Sequence, residues 1–247
     1  LAAMTSDAPG YLDNIGSGND GSNTHRVNSY RANLLWQISD KFSLRYFGFY
    51  DDARSGDNFY SFPALGELIR DTAVDETLEF NTTVNSITLK GDLGFAELSI
   101  QGADLEKSQD SVYWRYWLGP PPPLNTGASH ASNDSQTYEV RLTSATGSKW
   151  DWLVGVYVGS ADQLYPSIDL VDGNVVGSFN ADYFSDETAL FGDLTYHFTD
   201  ALSVTAGGRY YDYSPDIGMQ QAGVTVARID ESDAWVDAIV GARINLA

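Results

Sequence analysis

The 247-residue sequence has no cysteine and few bases, since 14 Lys and Arg stand against 34 Asp and Glu, for a formal net charge of −20. Without cysteine the chain has no disulfide, thiolate metal site or cysteine nucleophile. The shortage of bases argues against binding to nucleic-acid backbones, because few cations are present to replace the counterions of phosphate. The sequence therefore predicts no nucleic-acid partner.

Long apolar runs are also missing. The longest, Trp152–Val158, is far shorter than the roughly 20 residues of a membrane-spanning helix. Transmembrane helices are therefore excluded. The N-terminal residues Leu1-Ala2-Ala3-Met4 lack a basic residue followed by an apolar core, so no signal peptide is visible. Because the chain does not begin with Met, we expect a mature product or a fragment.

What the sequence does contain is a recurring alternation of apolar and polar residues, the period of a half-buried strand. Ala32, Leu34 and Trp36 share one face, for example, while Arg31 and Asn33 share the other. Apart from the less regular segment 82–90, the pattern is clear. It predicts nine strands: 29–39, 42–50, 82–90, 95–103, 135–144, 149–158, 188–198, 202–212 and 234–246.

The connections between these strands alternate in length. Short turns lie around Asp40, Asp92, Gly147 and Asp200, and long loops are expected at 1–28, 51–81, 104–134, 159–187 and 213–233. Strands of about ten residues, with short turns at one end and long loops at the other, are typical of outer-membrane β-barrels. We therefore predict an all-β fold, an antiparallel transmembrane barrel with nine to ten strands visible. An odd count of nine predicts a single partial barrel cut from a larger one.

Interfacial aromatics favour a barrel over a β-sandwich, which has no reason to sort its aromatic residues by depth. One group flanks the short turns and a second lies near the long loops, with aliphatic residues between. The predicted belts are Trp36, Phe42, Trp150, Trp152, Tyr196 and Phe198 at the short turns, and Tyr50, Tyr138 and Tyr210 at the long loops.

Polar residues on the other strand face are predicted to point into the barrel lumen. They could line a passage or hold a plug, or they could simply pair across strands as in any such barrel. The set is Arg31, Arg45, Glu97, Gln101, Glu139, Arg141, Asp193, His197, Arg209, Asp237 and Arg243.

Several hairpins carry more specific motifs. The sharpest is an E-x-R-L-x-S strand, Glu139–Ser144, followed by a W-x-W-L-x-G-x-Y strand, Trp150–Tyr157. Others are Tyr30–Trp36 with Ser39–Leu44, and Ala189–Tyr196 with Thr205–Tyr210. Over about residues 29–212 the chain resembles the barrel domain of TonB-dependent outer-membrane receptors, the siderophore-receptor type in particular.

This resemblance implies energised import of a scarce nutrient across the bacterial outer membrane. The family's ligands include ferric siderophores, cobalamin and, in some branches, carbohydrates, and a ferric siderophore is the expected ligand here. The implied partners are outer-membrane lipid, lipopolysaccharide, and the TonB protein, which would act through a plug that this chain does not contain. No enzymatic step, no cofactor and no metal site is expected.

The sequence Tyr113-Trp114-Arg115-Tyr116-Trp117 is the strongest candidate for ligand contact. Four aromatics around one Arg could stack on an aromatic ligand, such as a catecholate chelate, and pair with its anionic groups. Alternatively, these residues extend the barrel strands above the membrane or pack the loop on itself.

Other polar clusters favour plainer interpretations. The acidic loop residues match no calcium-loop spacing, so solvated surface is expected for them: Asp51, Asp52, Asp57, Asp71, Asp75, Glu76 and Glu79. The three histidines, His25, His130 and His197, show no metal-ligand spacing. A catalytic triad of His197 and Asp193 with a serine lacks any nucleophile motif.

Sorting the charges by segment places nearly all of the excess in the long loops. The five loop regions hold 25 acids and 6 bases, and the strands with their short turns hold 9 acids and 8 bases. This uneven distribution of charge suits a barrel that is nearly neutral in the membrane.

Two other functions remain open: a small passive outer-membrane channel, and a secreted β-sandwich that acts as a binding or adhesion module.

Overall fold

The computed structural model describes residues 1–115, 125–145, 147, 149–199, 201–230 and 232–244, with side chains to residue 238. Eleven of its strands form one sheet with antiparallel pairing throughout, and β2 and β5 form a separate parallel pair. A short 3-10 helix spans Pro63–Leu65. The strands are β1 (Ala2–Ala8), β2 (Asp13–Asn14), β3 (His25–Gln37), β4 (Phe42–Ser55), β5 (Ile69–Arg70), β6 (Leu78–Asp92), β7 (Ala96–Trp114), β8 (Asn125–Ser144), β9 (Trp150–Val171), β10 (Asn174–His197), β11 (Leu202–Gln221), β12 (Val224–Asp230) and β13 (Asp233–Ile244).

The eleven strands occupy ten places across the sheet. Their order is β1-β3-β4-β6-β7-β8-β9-β10-β11-β12, and β13 also pairs with β11. β12 lies opposite Asp216–Gln221 and β13 opposite Leu202–Tyr213, so together they fill one place. Among the described residues the sheet is open, because β1 and the β12–β13 pair each have one neighbouring strand. The main sheet is thus a single open layer of consecutive hairpins rather than a pair of packed sheets.

All nine predicted strands are present, including the less regular 82–90 within β6. The prediction for residues 1–28 was wrong in part, because β1 pairs with β3 from Ala2↔Arg31 to Ala8↔His25. The β1 sequence AAMTSDA has no apolar alternation to reveal it. Residues 2–8 therefore form a strand because they pair with the edge of β3, although their own sequence has only a weak preference for strand. With β1 included, the sheet has ten strand positions. The prediction of a partial barrel therefore cannot rest on an odd number of strands.

Three of the predicted long loops are mostly strand. β7 continues to Trp114, β9 to Val171 and β11 to Gln221, and their partners return from the far ends. Two-residue turns with positive φ at both positions make two of the reversals: Asp172 (48°) with Gly173 (77°), and Ala222 (51°) with Gly223 (78°). Such turns fit the twist of a hairpin. The strands were missed because both faces are largely polar there, so the apolar alternation disappears.

The four short connections are confirmed at the opposite end of the sheet. In two of them a small polar side chain closes the turn. The side chain of Asp92 accepts a hydrogen bond from Gly94 N at 2.7 Å, and Thr199 Oγ1 accepts one from Leu202 N at 3.0 Å. These bonds satisfy backbone donors that a tight turn leaves free. The sheet therefore has one tightly closed end and one end with long extensions.

Candidate functional site

One face of the sheet carries a continuous apolar band, and we call it the band face. Its central row runs in register through Val140, Val156, Leu190, Tyr210 and Val236. All five side chains are exposed, Val236 to 71%. Large exposed apolar patches mark contact with lipid or with another apolar surface.

Aromatic side chains border this band. Near the short turns, the Tyr196 ring lies 4.5 Å from Trp150 and 4.6 Å from Phe198, centroid to centroid. Towards the extensions, Tyr50 stacks on Tyr30 at 6.2 Å. Register places the other predicted belt residues on the same face: Trp36, Phe42, Trp152, Tyr138 and Tyr210.

Above Tyr138 the band face changes from apolar to acidic. Glu106 lies opposite Asp134, and Asp134 lies opposite Asp162. Further along the sheet, Asp216 lies opposite Asp230. Carboxylates directly opposite one another repel, and water with salt screens this repulsion where hydrocarbon does not. The acidic rows therefore mark where the apolar band ends.

The face opposite to the band holds the polar residues predicted for the lumen. Alternation and register place ten of the eleven there: Arg31, Arg45, Glu97, Gln101, Glu139, Arg141, Asp193, His197, Arg209 and Asp237. The backbone of the eleventh, Arg243, lies opposite Ser203, and its side chain is outside the described part. Gln101 faces Glu139 across one strand pair, and Arg209 faces Asp237 across another. We call this side the opposite face.

Ion pairs neutralise much of the opposite face. Arg141 Nη2 lies 3.3 Å from Glu139 Oε1, and Lys90 Nζ lies 3.5 Å from Glu97 Oε1. Arg209 pairs with Glu187, and its Cζ lies 5.6 Å from the centre of the Tyr157 ring. A wall of this kind is polar without strong net charge.

His197 pairs with a different residue from the one considered in the sequence. Its Nε2 lies 2.6 Å from Asp151 Oδ2 on β9, whereas Asp193 lies four residues away along β10. Side chains four apart on a strand are separated by roughly 13 Å. The structure therefore does not bring His197 and Asp193 together.

At the extended end, residues 9–24 and 56–77 fold together into a unit that we call the loop unit. The short parallel pair β2–β5 joins the two segments. Asn14 is buried, and its Nδ2 donates to Thr72 Oγ1 at 2.7 Å while its Oδ1 accepts from Thr72 N at 3.0 Å. Leu12 is the buried apolar residue of this unit. Its interior is therefore mainly polar.

Arg70 lies at the centre of the loop unit. Its side chain and that of Asp57 are fully buried, with Arg70 Nε 3.1 Å from Asp57 Oδ2 and Nη2 2.7 Å from Glu76 Oε2. The Arg70 guanidinium also lies 4.2 Å from the centre of the Tyr60 ring. Solvated surface was predicted for Asp57 and Glu76, and that was wrong. Burial of both is tolerable because Arg70 compensates their charge.

Glu76 joins the loop unit to the end of β7. Its Oε2 accepts a hydrogen bond from Tyr60 Oη at 2.6 Å, and its Oε1 accepts one from Trp114 N at 3.0 Å. Burial first, and then the Glu76 carboxylate, raises the pKa of Tyr60 from 10.0 to about 12. One carboxylate thus connects Arg70, Tyr60 and the strand that carries the candidate ligand residues.

Of those candidates, three are described. Tyr113 and Trp114 end β7, so this part extends a strand, as one alternative expected. Arg115 Nε lies 2.5 Å from Asp169 Oδ1, and its Nη2 donates to Tyr113 Oη at 2.8 Å. Its charge is therefore directed at Asp169. Tyr116 and Trp117 lie outside the described residues.

No group of three or more His, Asp or Glu side chains arranged to hold a metal ion occurs in the described part of the chain. In the same residues, no helix has the length and apolar character needed to cross a membrane.

Comparison with known proteins identifies the fold. No protein-family model and no curated protein matches the chain. Solved structures do match: the ferric yersiniabactin uptake receptor FyuA of Yersinia pestis (TM-score 0.76, 14% identity, 97% of this chain and 38% of that chain); the ferric-catecholate import receptor Fiu of E. coli K12 (0.70, 13%, 99% and 47%); and the siderophore receptor PiuA of Acinetobacter baumannii (0.61, 10%, 99% and 42%). The chain thus spans less than half the length of each of these receptors. Its fold is a portion of the β-barrel wall that they share.

Proposed function

We propose that this chain is part of the barrel of an outer-membrane receptor that imports a ferric siderophore with energy supplied through TonB. The observation that carries the proposal is the band face, an apolar surface bordered by aromatics on a sheet with the receptor-barrel fold. From Trp150 to Val158, β9 advances eight residues, or roughly 27 Å of strand. Tilted by roughly 40°, that length rises roughly 21 Å, which covers most of the roughly 25 Å apolar height of outer-membrane barrels.

In this proposal the band face contacts outer-membrane lipid, and the acidic rows lie beside lipopolysaccharide headgroups outside the membrane. The opposite face then lines the lumen, where the paired Arg141, Glu139, Arg209 and Glu187 suit a passage filled by water or by a plug. TonB would act through a plug that is not in this chain. The proposed receptor needs no catalytic residue and no cofactor.

Ligand contact would take place at the extended end. Tyr113 supplies aromatic surface on the opposite face there, and Glu76 fixes the backbone of the next residue, Trp114, to the loop unit. We propose that Tyr113, with Tyr116 and Trp117, contacts the ligand, whereas Arg115 positions the Tyr113 ring and Trp114, which alternation places on the band face, anchors the strand end.

Membrane residence is tested by purification. The receptor should be monodisperse in detergent and should aggregate when detergent is removed, because the band face is uncovered. A protein that is monodisperse in plain buffer would contradict the barrel and would favour the alternative, a soluble binding module. That alternative is disfavoured by the single open sheet, since no second sheet covers the band face among the described residues.

Transport is tested in cells starved of iron. Deletion of the gene should reduce uptake of a labelled ferric siderophore, and loss of TonB should reduce it equally. Uptake that persists without TonB would indicate a passive channel instead.

A further inference from the structure

The two faces of the upper strands differ sharply in charge. The upper segments are the parts of five strands above the level of Tyr138: 104–114, 125–136, 160–171, 174–186 and 214–221. On their band face, alternation and register place eight carboxylates and no Lys or Arg in the described positions. These acids are Asp104, Glu106, Asp110, Asp134, Asp162, Asp182, Asp186 and Asp216.

The opposite face of the same segments is almost uncharged. Its ionised residues on these strands are Lys107, Asp169 and, one position above the level of Tyr138, Glu187. Asp169 pairs with Arg115, and Glu187 pairs with Arg209. The remaining positions carry amides, hydroxyls, rings and aliphatic groups, and among them are the amides Gln109, Asn133 and Gln163 and the phenols Tyr113, Tyr165 and Tyr183. The large negative charge of the loops therefore does not line this face.

The arginines at this end of the sheet are also occupied. Arg26 pairs with Asp7, Arg54 with Asp52, Arg70 with Asp57, Arg115 with Asp169 and Arg228 with Asp216. A polyanionic ligand would have to break such pairs to gain a guanidinium contact. The remaining basic residue on this face of the upper segments is the exposed Lys107, which lies opposite Asn133 with its Nζ 5.9 Å from the centre of the Phe80 ring, so a single ammonium group faces three or more ligand charges. Leaving a carboxylate unpaired is costly where it is buried, as for Asp57.

We propose that the ligand of this receptor is an electrically neutral, oxygen-rich ferric chelate that binds the opposite face of β8–β11 through amides and tyrosines. This inference rests on the proposed function and specifies its substrate class. A neutral chelate suits a surface that offers hydrogen bonds and rings rather than ion pairs.

A row of three polar side chains forms the centre of this site. Register places Gln163 directly between Asn133 on β8 and Tyr183 on β10. Asn133 Oδ1 has no hydrogen-bond partner among the described residues. Tyr165 Oη donates to Gln163 Oε1 at 3.0 Å, and the hydroxyls of Tyr183 and Tyr213 are in contact. The row therefore offers amide groups beside phenol rings.

The test measures binding to the intact receptor in detergent for three probes: a neutral ferric tris-hydroxamate, a trianionic ferric tris-catecholate and a neutral oligosaccharide. The neutral chelate should bind at least about tenfold more tightly than the trianion. Its affinity should change less than about twofold between roughly 50 and 500 mM salt, because screening acts on charge–charge attraction. Failure of the neutral chelate to exceed the trianion would overturn the inference.

Matched neighbours on β9 provide the control. Gln163→Ala should weaken binding of the neutral chelate by about fivefold, the value of one hydrogen bond. Asp162→Asn, which changes the adjacent side chain on the band face, should leave affinity within about twofold. Tyr183→Phe keeps the ring and serves as a second variant if Gln163→Ala does not assemble. Equal effects of Gln163→Ala and Asp162→Asn would contradict the assigned face.

The outcomes also separate this inference from the proposed function. Tight, salt-dependent binding of the tris-catecholate would overturn the proposal that the ligand is neutral, while the proposed siderophore import would stand. Binding of the oligosaccharide alone would overturn ferric import and the ferric part of the inference together.

Discussion

Arg70 Nη2 lies 2.7 Å from Glu76 Oε2 in the interior of the loop unit, where the Arg70 side chain has no exposed surface. The same carboxylate accepts hydrogen bonds from Tyr60 and from the backbone of Trp114. Glu76 is therefore one point at which the loop unit is attached to β7, beside the backbone hydrogen bond from Val112 N to Thr77 O at 3.0 Å. A loop held in this way has a defined shape, and such preorganisation would lower the entropy cost of binding the proposed ligand.

Removing Arg70 should open the loop unit. Arg70→Met leaves Asp57 and Glu76 as buried, uncompensated charges, a loss of roughly 3–5 kcal/mol. We expect rapid protease cleavage within 56–77 while the strands stay intact. Arg54→Met is the control, because its guanidinium pairs with Asp52 at the surface, where water and salt screen the pair and leave it little stabilising effect. Equal protease resistance of the two variants would show that Arg70 does not hold the loop.

Alkaline pH should loosen the same unit. Burial and the Glu76 carboxylate raise the pKa of Tyr60 from 10.0 to about 12 in the folded protein. A pKa raised on folding contributes stability that is complete below the unfolded value and is lost as pH rises through the folded value. Protease resistance of 56–77 should therefore fall between pH 10 and about 12. Tyr60→Phe should remove this step, and an unchanged profile in that variant would exclude Tyr60 as its origin.

The sequence predicts the sheet well where one face is apolar. Val140 alternates with Glu139 and Arg141, for example, and this period reveals both the strand and its two faces. Above Tyr138 both faces are polar, so β8–β11 continue without a periodic signal. An available signal was the Asp172-Gly173 dipeptide, which is typical of a two-residue hairpin.

The loop unit could not be predicted from the sequence, because its interior depends on partners far apart in the chain. Asn14 and Thr72 are separated by 58 positions, and Asp57 reads as an ordinary surface acid until Arg70 is placed beside it. Local composition indicates solvation for such segments. Only the tertiary arrangement makes burial of these charges favourable.

Depth in the membrane should decide the cost of a charge on the band face. Val156→Arg lies in the apolar row and should destabilise the barrel by roughly 2–4 kcal/mol. Ser160→Arg, four residues further along the same face of β9, lies beside the acidic rows and should cost about 0–1 kcal/mol. Urea unfolding of the receptor in lipid vesicles measures both. Similar costs at the two sites would contradict the boundary placed at Tyr138.

The turn between β11 and β12 offers a stabilising change. Ala222 adopts a positive φ of 51°, and Gly223 follows at 78°. The left-handed region costs a residue with a Cβ about 1–2 kcal/mol, and Asn and Gly tolerate it better. Ala222→Asn should therefore raise the unfolding free energy by about 0.5–1 kcal/mol, whereas Gly223→Ala should lower it by a similar amount or more. The comparison uses the same urea titration. If Ala222→Asn gave no gain while Gly223→Ala was tolerated, the turn would not have the positive φ angles described, and the register of β12 on β11 would need to be redrawn.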